Sequence, residues 1–287
     1  MYVVAGVSGN TGKVVADTLL AQKEAVRVIV RSADKGAAWK ARGAEVAIAE
    51  LDDVAALTSA LRGAKGVYLL LPPQMGSSDA RTENARRTAG YVKAVEASGV
   101  PHVVFLSSVG AQHAKGNGPI GSLHDAEVAF KATRAAVTFV RAAYFQENWG
   151  GSLYGLSKGE LPTFLTENHT VPMVATRDIG ATLAKALALG GKGHSVIELS
   201  GPRDYSPLDV AAALARITGK PIKAAFGPEQ YIVPALTSAG MNAHWAELFK
   251  EMIVGVNSGH VAFEGGAARA VRGTVELEVT LKGLVGA

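Results

Sequence analysis

The strongest constraint on this chain is a pattern that fills its first half: short, continuously apolar runs separated by stretches of helical periodicity. The runs are YVVA (residues 2–5), VRVIV (26–30), AEVAIAE (44–50), VYLLL (67–71), HVVFLSS (102–108) and VTFVRAA (137–143). Strands that are apolar throughout are covered on both faces, unlike strands that alternate with polar residues. Between them, the spacing predicts helices over 13–22, 33–42, 54–62, 79–98 and 122–134. Several stop at glycine, as at Ser98-Gly99 and Arg62-Gly63. Strand and helix in alternation imply a parallel sheet with helices on both sides, a doubly wound α/β fold of the Rossmann type.

The second half is less regular. A loop-rich stretch, 146–170, precedes a predicted helix over 177–190 and a strand over 194–201. Ser206-Pro207 opens a helix over 207–218. PIKAAFG reads as a short strand, and helices are predicted over 228–239 and 242–256. These features divide the chain into a Rossmann domain, 1–145, with its sheet completed by 174–201, and a smaller, mainly helical cap. The cap takes 146–173 and 202–287. The cleft between them would lie at the carboxyl ends of the strands, where such sheets bind ligands.

The turn after the first run carries three glycines, Gly6, Gly9 and Gly12, in GVSGNTGK. A glycine-rich strand-to-helix turn lets backbone N–H groups face a diphosphate at a helix N-terminus. The spacing is G-x-x-G-x-x-G rather than G-x-G-x-x-G, so a plain tight turn packing helix on strand is the competing reading. The end of VRVIV adds information. A carboxylate there would bind the ribose hydroxyls of NAD, but the sequence has Arg31, with Lys35 nearby. Guanidinium accepts no hydrogen bond and matches a phosphate with forked donors, which favours the 2′-phosphate of NADP(H). Glu50, ending AEVAIAE, would face the adenine amino group, with Asp52 and Asp53 as rivals.

GVSGNTGK, the Arg31 position, SGVPHVVFLSSVGA and TFVRAAYFQEN together resemble the NmrA-like atypical short-chain dehydrogenases over residues 1–200. That group includes NADPH-dependent quinone oxidoreductases, triphenylmethane-dye reductases and azo-dye reductases. The resemblance implies that Gly6, Ser8, Gly9, Asn10, Thr11 and Gly12 hold the diphosphate and Arg31 the 2′-phosphate. It also implies that Leu71 and Pro72 line the adenosine or nicotinamide ribose, and that Ser107 and Ser108 lie near the nicotinamide. One departure is Ala49-Glu50, where the group commonly has Gly-Asp.

Typical short-chain dehydrogenases use Y-x-x-x-K, in which lysine lowers the pKa of a tyrosine that transfers the proton. YGLSK, Tyr154 to Lys158, matches that string but follows the VTFVRAA strand, in a loop. The helix after the serine-bearing strand reads GSLHDAEVAFK, with His124 roughly where the tyrosine belongs and Val128 in place of lysine. His124 is the candidate proton donor, with a substrate contact or a solvent-facing ring as alternatives. Reduction of an ordinary ketone needs a proton partner, whereas a quinone or azo compound spreads the arriving charge. The expected reaction is hydride transfer from NADPH to a flat, conjugated acceptor without a Tyr–Lys pair. The alternative is a non-catalytic NADP(H) sensor that acts through a protein partner.

Tyr144, Phe145, Gln146, Asn148 and Trp149 fall at the expected cleft and Trp245 in the cap, as candidate acceptor contacts; Phe164, Met173 and Met241 would add an apolar wall. The loop 110–121, with four glycines, reads as a mobile lid, and His113 within it as solvated. The chain has no cysteine, so thiolate metal sites and disulfides are excluded, which suits a cytoplasmic protein. No signal peptide is visible, and no apolar run approaches the ~20 residues of a membrane span. A net charge of +4 spread without a basic block argues against nucleic acid as partner. The expected partner is a small aromatic or quinoid molecule, bound by a monomer or homodimer without a metal.

Overall fold

The computed structural model describes residues 1–167 and 169–286. Its main sheet takes up the apolar runs: β1 (Tyr2–Val4), β2 (Val26–Val30), β3 (Glu45–Ile48), β4 (Gly66–Leu69), β5 (His102–Ser108) and β6 (Ala136–Ala142). Between them run α1 (Asn10–Ala21), α2 (Ala33–Ala41), α3 (Val54–Leu61), α4 (Ala80–Ser98) and α5 (Gly121–Lys131). The remaining elements are β7 (Tyr144–Phe145), β8 (Glu160–Thr163), β9 (Val171–Val174), α6 (Thr176–Leu189), β10 (His194–Ser200) and β11 (Asp204–Tyr205). They continue with α7 (Pro207–Thr218), β12 (Lys223–Phe226), α8 (Ile232–Ser238), α9 (Ala243–Asn257), β13 (Arg269–Arg272) and α10 (Leu277–Val285).

The main sheet has eight strands in the order β13-β10-β6-β5-β4-β1-β2-β3, and every neighbouring pair is parallel. The chain order reverses beside β1, the switch point at which Rossmann sheets open a crevice. Alternation along each strand builds a core on either face. Val4, Val28, Tyr68, Val104 and Val140 pack with Leu19 of α1 and Leu183 of α6. Val3, Ile29, Leu69, Phe105 and Phe139 pack with Leu57 of α3, Tyr91 of α4 and Phe130 of α5. Period-2 side chains divided between two cores are what continuously apolar strands require.

The eighth strand differs from the sequence expectation, which gave all of 202–287 to the cap. RAVR leaves the cap and pairs with β10 at the sheet edge. Its side chains are mostly exposed, so it lacks the apolar run that marks the other strands. Residues 146–163 are also more ordered than a loop, with a 3₁₀ helix over Gln146–Lys158 followed by β8. The cap has its own core, including Trp149, Leu161, Met173, Tyr205 and Leu214.

Candidate functional site

Because all the sheet strands run the same way, the turn after β1, Arg31 after β2, Glu50 after β3 and Leu70–Pro72 after β4 share one edge. Ser108–Ala111 after β5 and Tyr144 after β6 lie along the same edge. The first turn is built for close approach. Gly6 adopts φ 65, which favours glycine. A Cβ at Gly12 would collide with the carbonyl oxygens of Ala5 and Gly6, so α1 sits directly against the end of β1. Gly9 takes the N-cap position of α1, and no side chain caps that helix. The first-turn amides thus face the surface between exposed Ser8 and Asn10, an arrangement suited to an anion.

Thr11 is placed differently from the expectation. Its side chain is buried and its hydroxyl meets the Tyr68 hydroxyl at 2.9 Å, so only its backbone N–H is free to face a ligand. Arg31 and Lys35 are exposed at the N-terminus of α2 and form no ion pair among the described residues. The three carboxylates after β3 separate by what they touch. Asp52 receives a fork from Arg87 at 2.6 and 2.9 Å, which holds its carboxyl below the usual range. Asp53 caps α3 through Ala56 N at 3.0 Å. Glu50 is exposed with no side-chain partner of this kind. Leu71 and Pro72 are half-buried beyond β4.

At β5 the two serines diverge. Ser108 is half-buried and donates to the Val109 carbonyl at 3.0 Å. Ser107 is 2% exposed and donates to Glu127 at 2.6 Å, so its hydroxyl is spent within a buried ion pair. That pair joins Glu127 of α5 to Arg141 of β6 at 2.7 Å, and Arg141 also donates to Glu264 at 2.6 Å. In the sequence this network leaves one trace, an arginine within the apolar run 137–143.

His124, in the first half of α5, is half-buried with Nδ1 2.9 Å from the Ala111 carbonyl. A carbonyl only accepts, so Nδ1 carries a proton and donates, and Nε2 has no hydrogen-bond partner among the described residues. Val128 is 56% exposed on the same helix. Tyr154 is 75% exposed in the 3₁₀ helix and Lys158 is exposed as well, so YGLSK lies on the surface.

The candidate acceptor contacts also separate. Tyr144 and Phe145 are half-buried and Asn148 is exposed. Burial pushes the Tyr144 phenol up to about 12, opposed by its hydrogen bond with Asn148. Gln146 is wholly buried, its amide nitrogen donating to the Val275 carbonyl at 3.2 Å and its oxygen accepting from Thr280 at 2.5 Å. Both ends are spent inside the protein, so Gln146 is structural. Trp149 is 2% exposed and donates to Met173 Sδ at 3.4 Å, in the cap core. Trp245 is 4% exposed and donates to the Gln74 carbonyl at 2.7 Å, fastening α9 to the segment after β4. Met173, expected in an apolar wall, is fully buried in the cap core.

The loop 110–121 is tied down rather than free. Asn117 is 1% exposed and donates to the carbonyls of Gly110 and His113 at 3.0 and 2.7 Å. Glu251 accepts from Gly116 N at 2.7 Å. His113 stacks on His260, ring centres 4.1 Å apart, instead of standing in solvent. Among the described residues no cluster of metal-ligating side chains forms, and no helix is long and apolar enough to cross a membrane.

Among known proteins, the chain is 27% identical over 258 residues to an NAD(P)H azoreductase of Xenophilus azovorans, covering 88% of this chain and 86% of that protein. An NADPH-dependent quinone oxidoreductase of Escherichia coli, solved with NADPH, superposes with a TM-score of 0.80 at 24% identity, covering 100% of this chain and 95% of that one. A triphenylmethane reductase of Citrobacter sp., solved with NADP(H), gives 0.83 at 20% identity, covering 99% and 100%. At these identities the two solved structures speak for the fold, and both share it nearly end to end. A model of the NmrA-like family matches residues 2–272, and the chain belongs to that family.

Proposed function

We propose that this protein is an NADPH-dependent reductase of flat, conjugated acceptors such as quinones or azo dyes. The observation that carries the reading is the pairing of uncapped α1 amides behind Gly9 with two exposed cations after β2, Arg31 and Lys35, that form no ion pair among the described residues. The bare Gly9 surface suits the close approach of a diphosphate, and forked guanidinium suits a 2′-phosphate. Similarity to azo-dye and quinone reductases supports the same class of chemistry.

A bound NADPH supplies the hydride. The remaining work falls to this chain. Glu50, free while Asp52 and Asp53 are engaged, would meet the adenine of the coenzyme. Leu71 and Pro72 would hold the ribose and the Ser108 end of β5 the nicotinamide. Ser8 and Asn10 would contribute polar side chains to the diphosphate. Tyr144, Phe145 and Asn148 hold the acceptor, with the Tyr144 phenol fully protonated at neutral pH. His124 presents Nε2 at the edge of the site. With Nδ1 donating to Ala111, Nε2 is the nitrogen through which His124 would meet the acceptor. For a quinone or azo acceptor the charge is delocalised, and orientation carries most of the rate.

The test mixes purified protein and NADPH with menadione or an azo dye and follows the absorbance of the reduced nicotinamide. Acceptor-dependent oxidation is expected. Tight NADPH binding without oxidation by any acceptor overturns the enzyme reading in favour of a cofactor sensor.

A further inference from the structure

Side chains on the α5 side of the sheet form a buried polar seam. Register sets Ser107 of β5 beside Arg141 of β6, and Arg141 beside Glu198 of β10. Arg141 and Glu127 are 3% and 2% exposed. Glu127 accepts from Arg141 Nε at 3.0 Å and Nη2 at 2.7 Å, a fork that fixes orientation as well as distance. The third guanidinium nitrogen, Nη1, donates to Glu264 at 2.6 Å. Glu198 holds the same segment by its backbone, accepting from Glu264 N at 2.8 Å and Gly265 N at 3.1 Å. Burial alone would pull the guanidinium pKa down; Glu127, and then Glu264, outweigh it and keep the group charged.

Apolar residues of similar size would fill such a volume without desolvating charge, so the seam's distinct product is orientation. Glu127 lies three residues after His124 on α5, one turn along the same helix. The Arg141 fork therefore sets the rotation of α5 and the direction of the His124 ring. Its other arm fixes Glu264, whose segment includes Ala262. The Ala262 carbonyl accepts from Gln112 at 2.8 Å, beside Ala111. Both partners of the His124–Ala111 hydrogen bond are thus held from one guanidinium, by separate routes.

We propose that Arg141 is a positioning residue, which through Glu127 and Glu264 fixes the His124–Ala111 hydrogen bond and so presents His124 Nε2 to the acceptor. The acceptor rests on the reductase reading; the hydrogen bond does not.

The test reads the His124 ring in ¹⁵N-histidine-labelled protein, assigned by its loss in His124→Gln. Arg141→Lys keeps the charge but cannot fork to Glu127 while reaching Glu264. The His124 nitrogen signals should move from the Nδ1–H pattern toward a tautomer mixture. The kcat with menadione should fall about tenfold or more, while the NADPH Kd stays within about twofold, since the cradle lies on distant strands. Glu264→Ala, at a half-exposed carboxylate, removes only the outer partner and reports in the same sense should Arg141→Lys not fold. A folded variant with unchanged His124 signals overturns the proposal, whether or not kcat falls. Absence of turnover in the unsubstituted protein would remove only the reductase reading, since the nitrogen signals still decide the positioning.

Discussion

On the proposed reading, Arg31 is the residue whose chemistry would separate one coenzyme from another. It follows directly on β2, is exposed, and stands at the N-terminus of α2 with Lys35 one turn further on. Its planar donors accept nothing from ribose hydroxyls, so its contribution arises only when a phosphate is there to receive them. A charge-assisted hydrogen bond of this kind contributes about 1.5–3 kcal/mol, or roughly ten- to a hundredfold in affinity. Arg31→Ala should therefore weaken NADPH by that factor in titration calorimetry and leave NADH almost unchanged. Equal losses for the two coenzymes would remove the 2′-phosphate assignment. Lys35→Ala should act in the same direction but less, because an ammonium meets phosphate as a point charge without the fork.

At the scale of elements, the seam between the loop 110–117 and the segment 258–265 is decided by one proton. The Gln112 amide nitrogen donates to the Ala262 carbonyl at 2.8 Å and faces His113 Nε2 at 3.3 Å. An amide nitrogen only donates, so His113 Nε2 must carry a lone pair and the ring is neutral. His260 donates to the Lys115 carbonyl at 2.9 Å and stacks on His113. Burial lowers the His113 pKa below 6.5, as do His260, Arg141 and His124; Glu264 alone opposes them. A histidine whose folded pKa is depressed takes up its proton more readily when unfolded. Its contribution to stability is thus complete above the ordinary value and is lost as pH falls through about 6.5 toward the folded value. Hydrogen exchange at 110–117 and 258–265, corrected for intrinsic rates, should rise between about pH 7.5 and pH 5.5. His113→Phe, which keeps a ring on His260, should flatten that rise. An identical rise in His113→Phe would show that the seam does not respond to this proton.

Across the whole molecule, what could be read in the sequence followed the range of the interactions involved. The α/β core was legible because apolar runs and helix stops are local, as in VYLLL and Ser98-Gly99. The bend holding Gly6, Gly9 and Gly12 was legible for the same reason. Ser107 was not: its partner Glu127 lies on another element, and nothing near residue 107 shows which face its hydroxyl takes. Asp52 and Asp53 became distinguishable from Glu50 only once Arg87 and the α3 amides were in place. β13 escaped because an exposed edge strand with charged side chains has no apolar signature. That strand also bears on how the molecule unfolds. The chain leaves the sheet after β6, returns at α6, leaves after β10, returns at β13 and ends in α10. Each crossing is fastened. Glu147 of the cap accepts from Thr176 N at 2.9 Å and caps the otherwise uncapped α6. Asp178 of α6 accepts from Thr274 N and Val275 N at 2.9 and 2.8 Å. Gln146 ties Val275 and Thr280 together. A cap fastened in this way cannot melt before the sheet without giving up these hydrogen bonds, at about 0.5–1.5 kcal/mol net each. Trp39 reports on the sheet core and Trp149 on the cap core. Two single-tryptophan variants, Trp149→Phe/Trp245→Phe and Trp39→Phe/Trp245→Phe, should give superimposable fluorescence transitions in denaturant. A Trp149 transition clearly preceding that of Trp39 would mean that cap and sheet unfold as separate units.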